Sequence, residues 1–179
     1  RIVDPVVPAI ARDLTINAET VALLASAFTL PYAVSQPVLG SLGDAWGKAL
    51  IIKFSLIVVI ACLIVGALAP GIELLFASRI VGGAAAGGII PLAFAMVGDR
   101  FDFEHRQIAL SRLLAAIISG QLIGSIGSGL LASYTSWRVT MAAAAVLVMA
   151  ALALTVWQLR PRPQTERPRF TFAVMREGY

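Results

Sequence analysis

ALIIKFSLIVVIACLIVGALA, residues 49–69, is an uninterrupted apolar run with a single charge, Lys53. About 20 consecutive apolar residues are what a helix needs to cross the hydrocarbon core of a bilayer. The run stops at Pro70-Gly71, a pair that breaks helices. A barrel strand would alternate apolar and polar residues over about 10 positions. This stretch is too long and too uniform for that, so it reads as a membrane-spanning helix.

The same pattern extends in both directions. Upstream, a span is predicted from about Val21 to Leu42, and a partial one from Arg1 to about Ala11, closed by Arg12-Asp13. Downstream, spans are predicted over Ile72 to Val97 (closed by Gly98-Asp99-Arg100), Ile108 to Ala132, and Trp137 to Leu159. That makes five full spans and one truncated span. Residues 1–159 are expected to form one helix bundle. The segment from Arg160 is basic and proline-rich and is expected to be a loop. The chain opens at Arg1 in mid-helix, without an initiator Met or a signal-peptide pattern, so residues are expected upstream.

Composition supports the membrane reading. The chain is 59% hydrophobic and 13% charged, against about 25% charged in a soluble domain. The mean hydropathy is +0.87. A pI near 9.8 could suggest nucleic acid. The basic residues, however, lie between apolar runs rather than in a patch of their own, so no nucleic-acid partner is expected. They report topology instead. Lys48, Lys53, Arg100, Arg106, Arg112 and the tail arginines fall on one side; the other connections hold only Arg12 and Arg138. The basic side is expected to be cytoplasmic, with span one running outward and the tail inside. Cys62, the single cysteine, reads as a small buried hydrophobe.

Four features carry candidate chemistry. The first is Gly40-Ser41-Leu42-Gly43-Asp44-Ala45-Trp46-Gly47-Lys48, expected as a turn between spans two and three. Glycine permits a tight turn and close helix approach, and Asp44 can pair with a cation. Asp99 and Arg100, at the end of span four, are candidates for the same charge network. The second is Arg79-Ile80-Val81-Gly82-Gly83-Ala84-Ala85-Ala86-Gly87. An arginine inside a span is costly and is a functional candidate by default. Arg79, Gly83 and Gly87 share one helical face at i, i+4 and i+8. The alternative is a structural arginine paired with a carbonyl.

The third feature is the stripe Gly120, Gly124 and Gly127 on span five, which close helix packing would explain. The fourth is Arg1, Asp4, Pro5 and Pro8 on span one, all on one face. Asp4 precedes Asp13 by nine residues and Arg79 follows Pro70 by nine, so each lies roughly 13 Å from the outer end of its helix at 1.5 Å per residue. A carboxylate facing an arginine at one level could exchange a proton; the alternative is a local Arg1–Asp4 pair that neutralises itself. Tyr32 and Gln36 share a face of span two and are candidates to line a cavity, together with Ser35 and Pro37. His105 reads as solvated. No metal-ligand cluster, phosphate loop, cofactor motif or nucleophile–base set is present in the sequence, so an enzyme is not expected.

These motifs together resemble the major facilitator superfamily. Gly40, Leu42, Asp44 and Gly47 match its loop pattern G-x-L-x-D-R-x-G-R-K, with Lys48 supplying a basic residue and Ala45 in place of the arginine. Arg79 and Gly83 resemble its span-four pattern R-x-x-x-G. The span-five stripe resembles G-x-x-x-G-P-x-x-G-G of its antiporter branches, with Ser125 in place of the proline. Asp4-x-x-x-Pro8 resembles span one of proton-coupled drug and metabolite exporters. The resemblance implies an all-α integral membrane protein. It would be one six-helix half, made of two inverted three-helix repeats with the first helix truncated.

It further implies a secondary transporter of the cytoplasmic membrane, embedded in membrane lipid, with a small-molecule substrate and protons as ligands. A second six-helix half would be the partner, and residues 160–179 the start of the cytoplasmic linker between halves. In that family the Gly40–Lys48 type of loop helps hold the outward-facing state. The rival class is a half-transporter retained as a scaffold or complex subunit.

Overall fold

The computed structural model describes residues 6–158. Among these, every regular element is an α-helix: α1 (Val7–Asp13), α2 (Ala18–Trp46), α3 (Lys48–Ala67), α4 (Ile72–Ala86), α5 (Ile89–Arg100), α6 (Phe103–Tyr134) and α7 (Trp137–Gln158). Five stretches are long and apolar enough to cross a membrane: α2, α3, α4 with α5 as one unit, α6 and α7. They correspond to the five full spans expected from sequence. α1 is the described part of the truncated first span. Arg1, Asp4 and Pro5 lie outside the described residues, as do Leu159 and the expected linker.

Two boundaries differ from the sequence reading. α2 does not stop at Leu42. It runs to Trp46, so Gly40, Gly43 and Asp44 belong to its last turns and not to a loop. One residue suffices to reverse the chain: Gly47, with φ of 106°, a region that glycine enters without a Cβ clash. The Gly47 N–H donates to the Gly43 carbonyl and closes α2, and Lys48 opens α3.

The second difference lies in span four, which is broken between Ala86 and Ile89. Pro91 has no N–H to give to the carbonyl of Gly87, and in a regular helix its ring would clash with that carbonyl. Gly87 and Gly88 nevertheless keep right-handed helical angles. The helical ladder is interrupted while the span continues in the same direction.

Side-chain contacts fix the alternation of the helices. Trp137 and Arg138, at the start of α7, reach Asp13 at the end of α1, and Arg138 also reaches Ala69 after α3. Lys48, at the start of α3, pairs with Asp99 near the end of α5. The 13–17, 68–71 and 135–136 connections therefore share one end of the bundle, and the 47 and 101–102 connections share the other. Lys48, Lys53, Arg100, Arg106 and Arg112 gather near the second end, as the charge asymmetry requires.

Packing is organised around α4. α2 runs along it, and α3 lies between α4 and α7. Val6, Ile10, Val21, Leu24, Leu75, Trp137 and Met141 form the core nearest the Asp13 end. Ile51, Ile52 and Leu92 form a smaller core near the Lys48 end. α6 stands at the margin, with Ser128 its only buried residue. Large apolar side chains face outward along the spans, among them Leu30, Leu122, Ile123 and Leu147. A soluble protein would not tolerate so much contiguous apolar surface, whereas lipid is as apolar as these side chains.

Candidate functional site

The α2–α4 crossing is where the two helices come closest. A Cβ placed on Gly83 would lie 2.2 Å from the Phe28 carbonyl oxygen, and one on Gly87 would lie 2.4 Å from the Tyr32 carbonyl oxygen. Two backbones thus meet directly, over two successive turns of each helix. Only glycine allows this approach. Across the other side of α4, Gly82 abuts Cys62 of α3. α4 is therefore wedged between α2 and α3 with no room to spare.

Arg79 lies one turn before Gly83, on the same face of α4. It is 8% exposed and about 10 Å along the helix from Ile72, at 1.5 Å per residue. Its guanidinium carbon sits 5.6 Å from the centroid of the Phe28 ring. Phe28 in turn stacks on Tyr32, with ring centroids 6.1 Å apart and planes inclined by 22°. A charge at this depth costs roughly 2.5–3.5 kcal/mol on insertion scales. A desolvated cation–π contact returns about 2 kcal/mol or more, so the ring face offsets a large share of that penalty. Tyr32 and Gln36 are half-buried. The Ser35 hydroxyl donates to the Tyr32 carbonyl at 3.1 Å.

Phe28 is the residue that sequence reading missed. Its signal was present: Phe28, Tyr32 and Gln36 follow one another at i, i+4 and i+8, so they occupy one face. A phenylalanine in an apolar span carries no mark of its own, and only the crossing angle set by Gly83 brings its ring to Arg79. Asp4 and Arg1, the remaining members of the candidate coupling set, lie outside the described residues.

At the basic end, Lys48 joins two helices. Its Nζ lies 2.5 Å from Asp99 Oδ2 and 3.7 Å from Asp44 Oδ1. The Lys48 side chain is mostly covered, whereas both carboxylates are exposed. Arg100, expected in the same network, points to solvent and forms no ion pair among the described residues. The neighbouring backbone is tied instead by Arg106, whose Nη2 donates to the Gly98 carbonyl at 2.8 Å. Gly43 touches the Leu92 side chain of α5, while Gly40 has open space around it.

The α6 stripe differs from expectation. A Cβ at Gly120, Gly124 or Gly127 would meet nothing within 4 Å. None of these glycines packs a described helix. At the other end of the bundle, Trp137 Nε1 donates to Asp13 Oδ2 at 2.9 Å. Arg138 pairs with the same carboxylate and stacks on the Trp137 ring at 4.3 Å. The Trp137 hydrogen bond, then the Arg138 guanidinium, hold the Asp13 carboxyl below its ordinary value. Among the described residues no group of His, Cys, Asp and Glu could hold a metal ion.

The apolar spans, the alternating ends and a buried cation between glycine-packed helices define a polytopic α-helical membrane protein. The sequence model of the Major Facilitator Superfamily matches residues 1–176, and the chain belongs to that superfamily. It is 28% identical over 172 residues to a triacylglyceride transporter of Mycolicibacterium hassiacum, covering 94% of this chain and 32% of that protein. It is 30% identical over 159 residues to multidrug resistance protein 1 of Bacillus subtilis, covering 89% and 41% respectively. A quinolone resistance protein of Staphylococcus aureus is 30% identical over 123 residues, covering 69% and 32%. The chain spans about a third of the length of the curated relatives it matches.

Proposed function

We propose that the chain is the N-terminal half of a secondary active transporter that works by alternating access and is coupled to protons. The observation that carries this reading is Arg79, buried in mid-span at a crossing where glycines bring two helices into backbone contact. Proteins hold a permanent charge at that depth for a translocation path or a coupling relay. The transporters among its relatives support the same reading. Asp4 supplies the exchangeable proton. Tyr32 and Gln36 line the path to the substrate.

The substrate is a small molecule, a drug or a metabolite, moved across the cytoplasmic membrane. Residues 1–159 form the bundle and residues 160–179 begin a cytoplasmic linker, with the basic end of the bundle inside. The substrate site lies between this half and a second six-helix half. The Asp44–Lys48–Asp99 bridge latches the cytoplasmic ends of α2, α3 and α5 in the outward-facing state.

The test uses the full-length coding sequence in membrane vesicles. Asp4→Asn and Arg79→Ala should each abolish proton-driven transport of a responsive compound while membrane insertion stays intact. Normal transport in both variants removes the coupling pair. Absence of transport by the parent protein, with a stable complex isolated from membranes, favours the scaffold reading instead.

A further inference from the structure

We propose that Phe28 is a positioning residue for Arg79, holding the guanidinium on its ring face so that the charge of α4 travels with α2. The idea rests on the reading of Arg79 as the coupling cation only where transport is concerned; the contact itself is geometric.

Four observations converge. The guanidinium carbon lies 5.6 Å from the Phe28 centroid, within the range of a cation–π attraction. The crossing that produces this approach has no slack, since any side chain at Gly83 would strike the Phe28 backbone itself. Arg79 and Gly83 are one turn apart on α4, so the residue that fixes the helix spacing also fixes the ring under the charge. Finally, Tyr32 stacks on Phe28 from the next turn of α2, and its own carbonyl is held against Gly87. The ring is braced from behind by a neighbour that is anchored in the same way.

The chemistry of the contact suits a moving charge. A hydrogen bond fixes the donor to one acceptor within a narrow distance and angle. A ring face offers a broad, shallow attraction instead. Arg79 can therefore exchange hydrogen-bond partners while the ring keeps its charge compensated. A shift of α2 against α4 would carry the guanidinium along with the ring and change what the charge can reach.

The experiment reads Arg79 directly. The chain is expressed in membranes and treated with phenylglyoxal, and modification of each arginine is followed by mass spectrometry of the digest. Phe28→Leu, which keeps an apolar side chain but removes the ring, should speed Arg79 modification about thirtyfold, the factor matching a desolvated cation–π contact. Phe28→Trp and Phe28→Tyr should keep the parent rate. Mono-, di- and trifluorophenylalanine at position 28 withdraw electron density from the face with little change of shape. They should raise the rate in graded steps. Arg138, which stacks on Trp137, serves as the unchanged reference in the same digest.

A flat fluorination series, or Phe28→Tyr behaving like Phe28→Leu, overturns the proposal. Should Phe28→Leu fail to insert, the fluorinated series still decides. Transport by the full-length protein separates the two readings. A graded labelling series with normal transport by Arg79→Ala keeps Phe28 as the holder and removes the coupling role. A flat series with a dead Arg79→Ala does the reverse.

Discussion

Gly83→Ala puts one methyl group where α2 and α4 already touch. The added Cβ would lie 2.2 Å from the Phe28 carbonyl oxygen and 3.0 Å from its Cα. Ordinary contact begins near 3.4 Å, so the helices must separate by about 1 Å. The obstacle is backbone, which cannot swing aside as a side-chain tip can. Overpacking of this kind costs about 1–3 kcal/mol, and the rigid neighbour places Gly83→Ala at the upper end. Alanine is the better helix former by about 1 kcal/mol. The net loss is then about 2 kcal/mol, or roughly 4–8 °C in Tm for a chain of this size.

Gly120→Ala is the matched control, since nothing lies within 4 Å of its added Cβ. It should leave Tm unchanged or raise it by a few degrees, about what the propensity gain allows. The half-buried Cys62, the single cysteine of the chain, provides the assay. A thiol-reactive fluorogenic maleimide reports its exposure as the detergent-solubilised chain unfolds on heating. A Gly83→Ala variant as stable as the parent, or a Gly120→Ala variant that loses as much, would refute the close-crossing argument.

Three further outcomes are expected. The Lys48–Asp99 pair should show a coupling of no more than about 1 kcal/mol in a double-mutant thermal cycle with Lys48→Ala and Asp99→Asn, because one partner is solvent-exposed. Asp13 has a folded pKa below its ordinary 3.8, so its contribution to stability is complete above that value and is lost as pH falls through the lower folded one. Thermal scans across that acid window should show the loss in the parent and not in Asp13→Asn. The Ser55 hydroxyl is buried without a hydrogen-bond partner among the described residues. Ser55→Ala should therefore be neutral or stabilising by up to about 1 kcal/mol in the same thermal assay, since it removes a polar group that gains nothing from burial.

The spans were legible because a bilayer imposes one demand on every segment that crosses it: length with almost no charge. The run from Ala49 to Ala69 meets it without ambiguity, and α3 occupies all but its last two residues. Helix ends were harder. Gly40 and Gly43 looked like turn residues but sit inside α2, because a reversal needs only the positive φ of Gly47. The break in span four follows from Pro91, whose effect falls four residues upstream, at Gly87, where hydropathy gives no sign of it.

Within the site, Arg79 declared itself as a charge in an apolar run. Gly83 and Gly87 shared its face, and the structure sets both against α2. Gly120, Gly124 and Gly127 repeat at the same kind of spacing, yet they face open space. Spacing shows which residues share a face and not what lies opposite. Phe28 was hidden for the same reason, as an apolar residue whose role depends on a partner helix. The cluster of Asp13, Trp137 and Arg138 joins positions more than 120 residues apart, and no local pattern announces it.

The most direct test of the central claim measures proton movement in everted membrane vesicles carrying the full-length protein. The vesicles are energised, the pH gradient is followed by acridine-orange fluorescence, and lipophilic cations, quinolones and small metabolites are added in turn. At least one compound should change the gradient with the parent protein, and the response should disappear in Arg79→Ala at equal protein level. An Arg79→Ala response equal to the parent's, or no response of the parent to any compound, would contradict the claim.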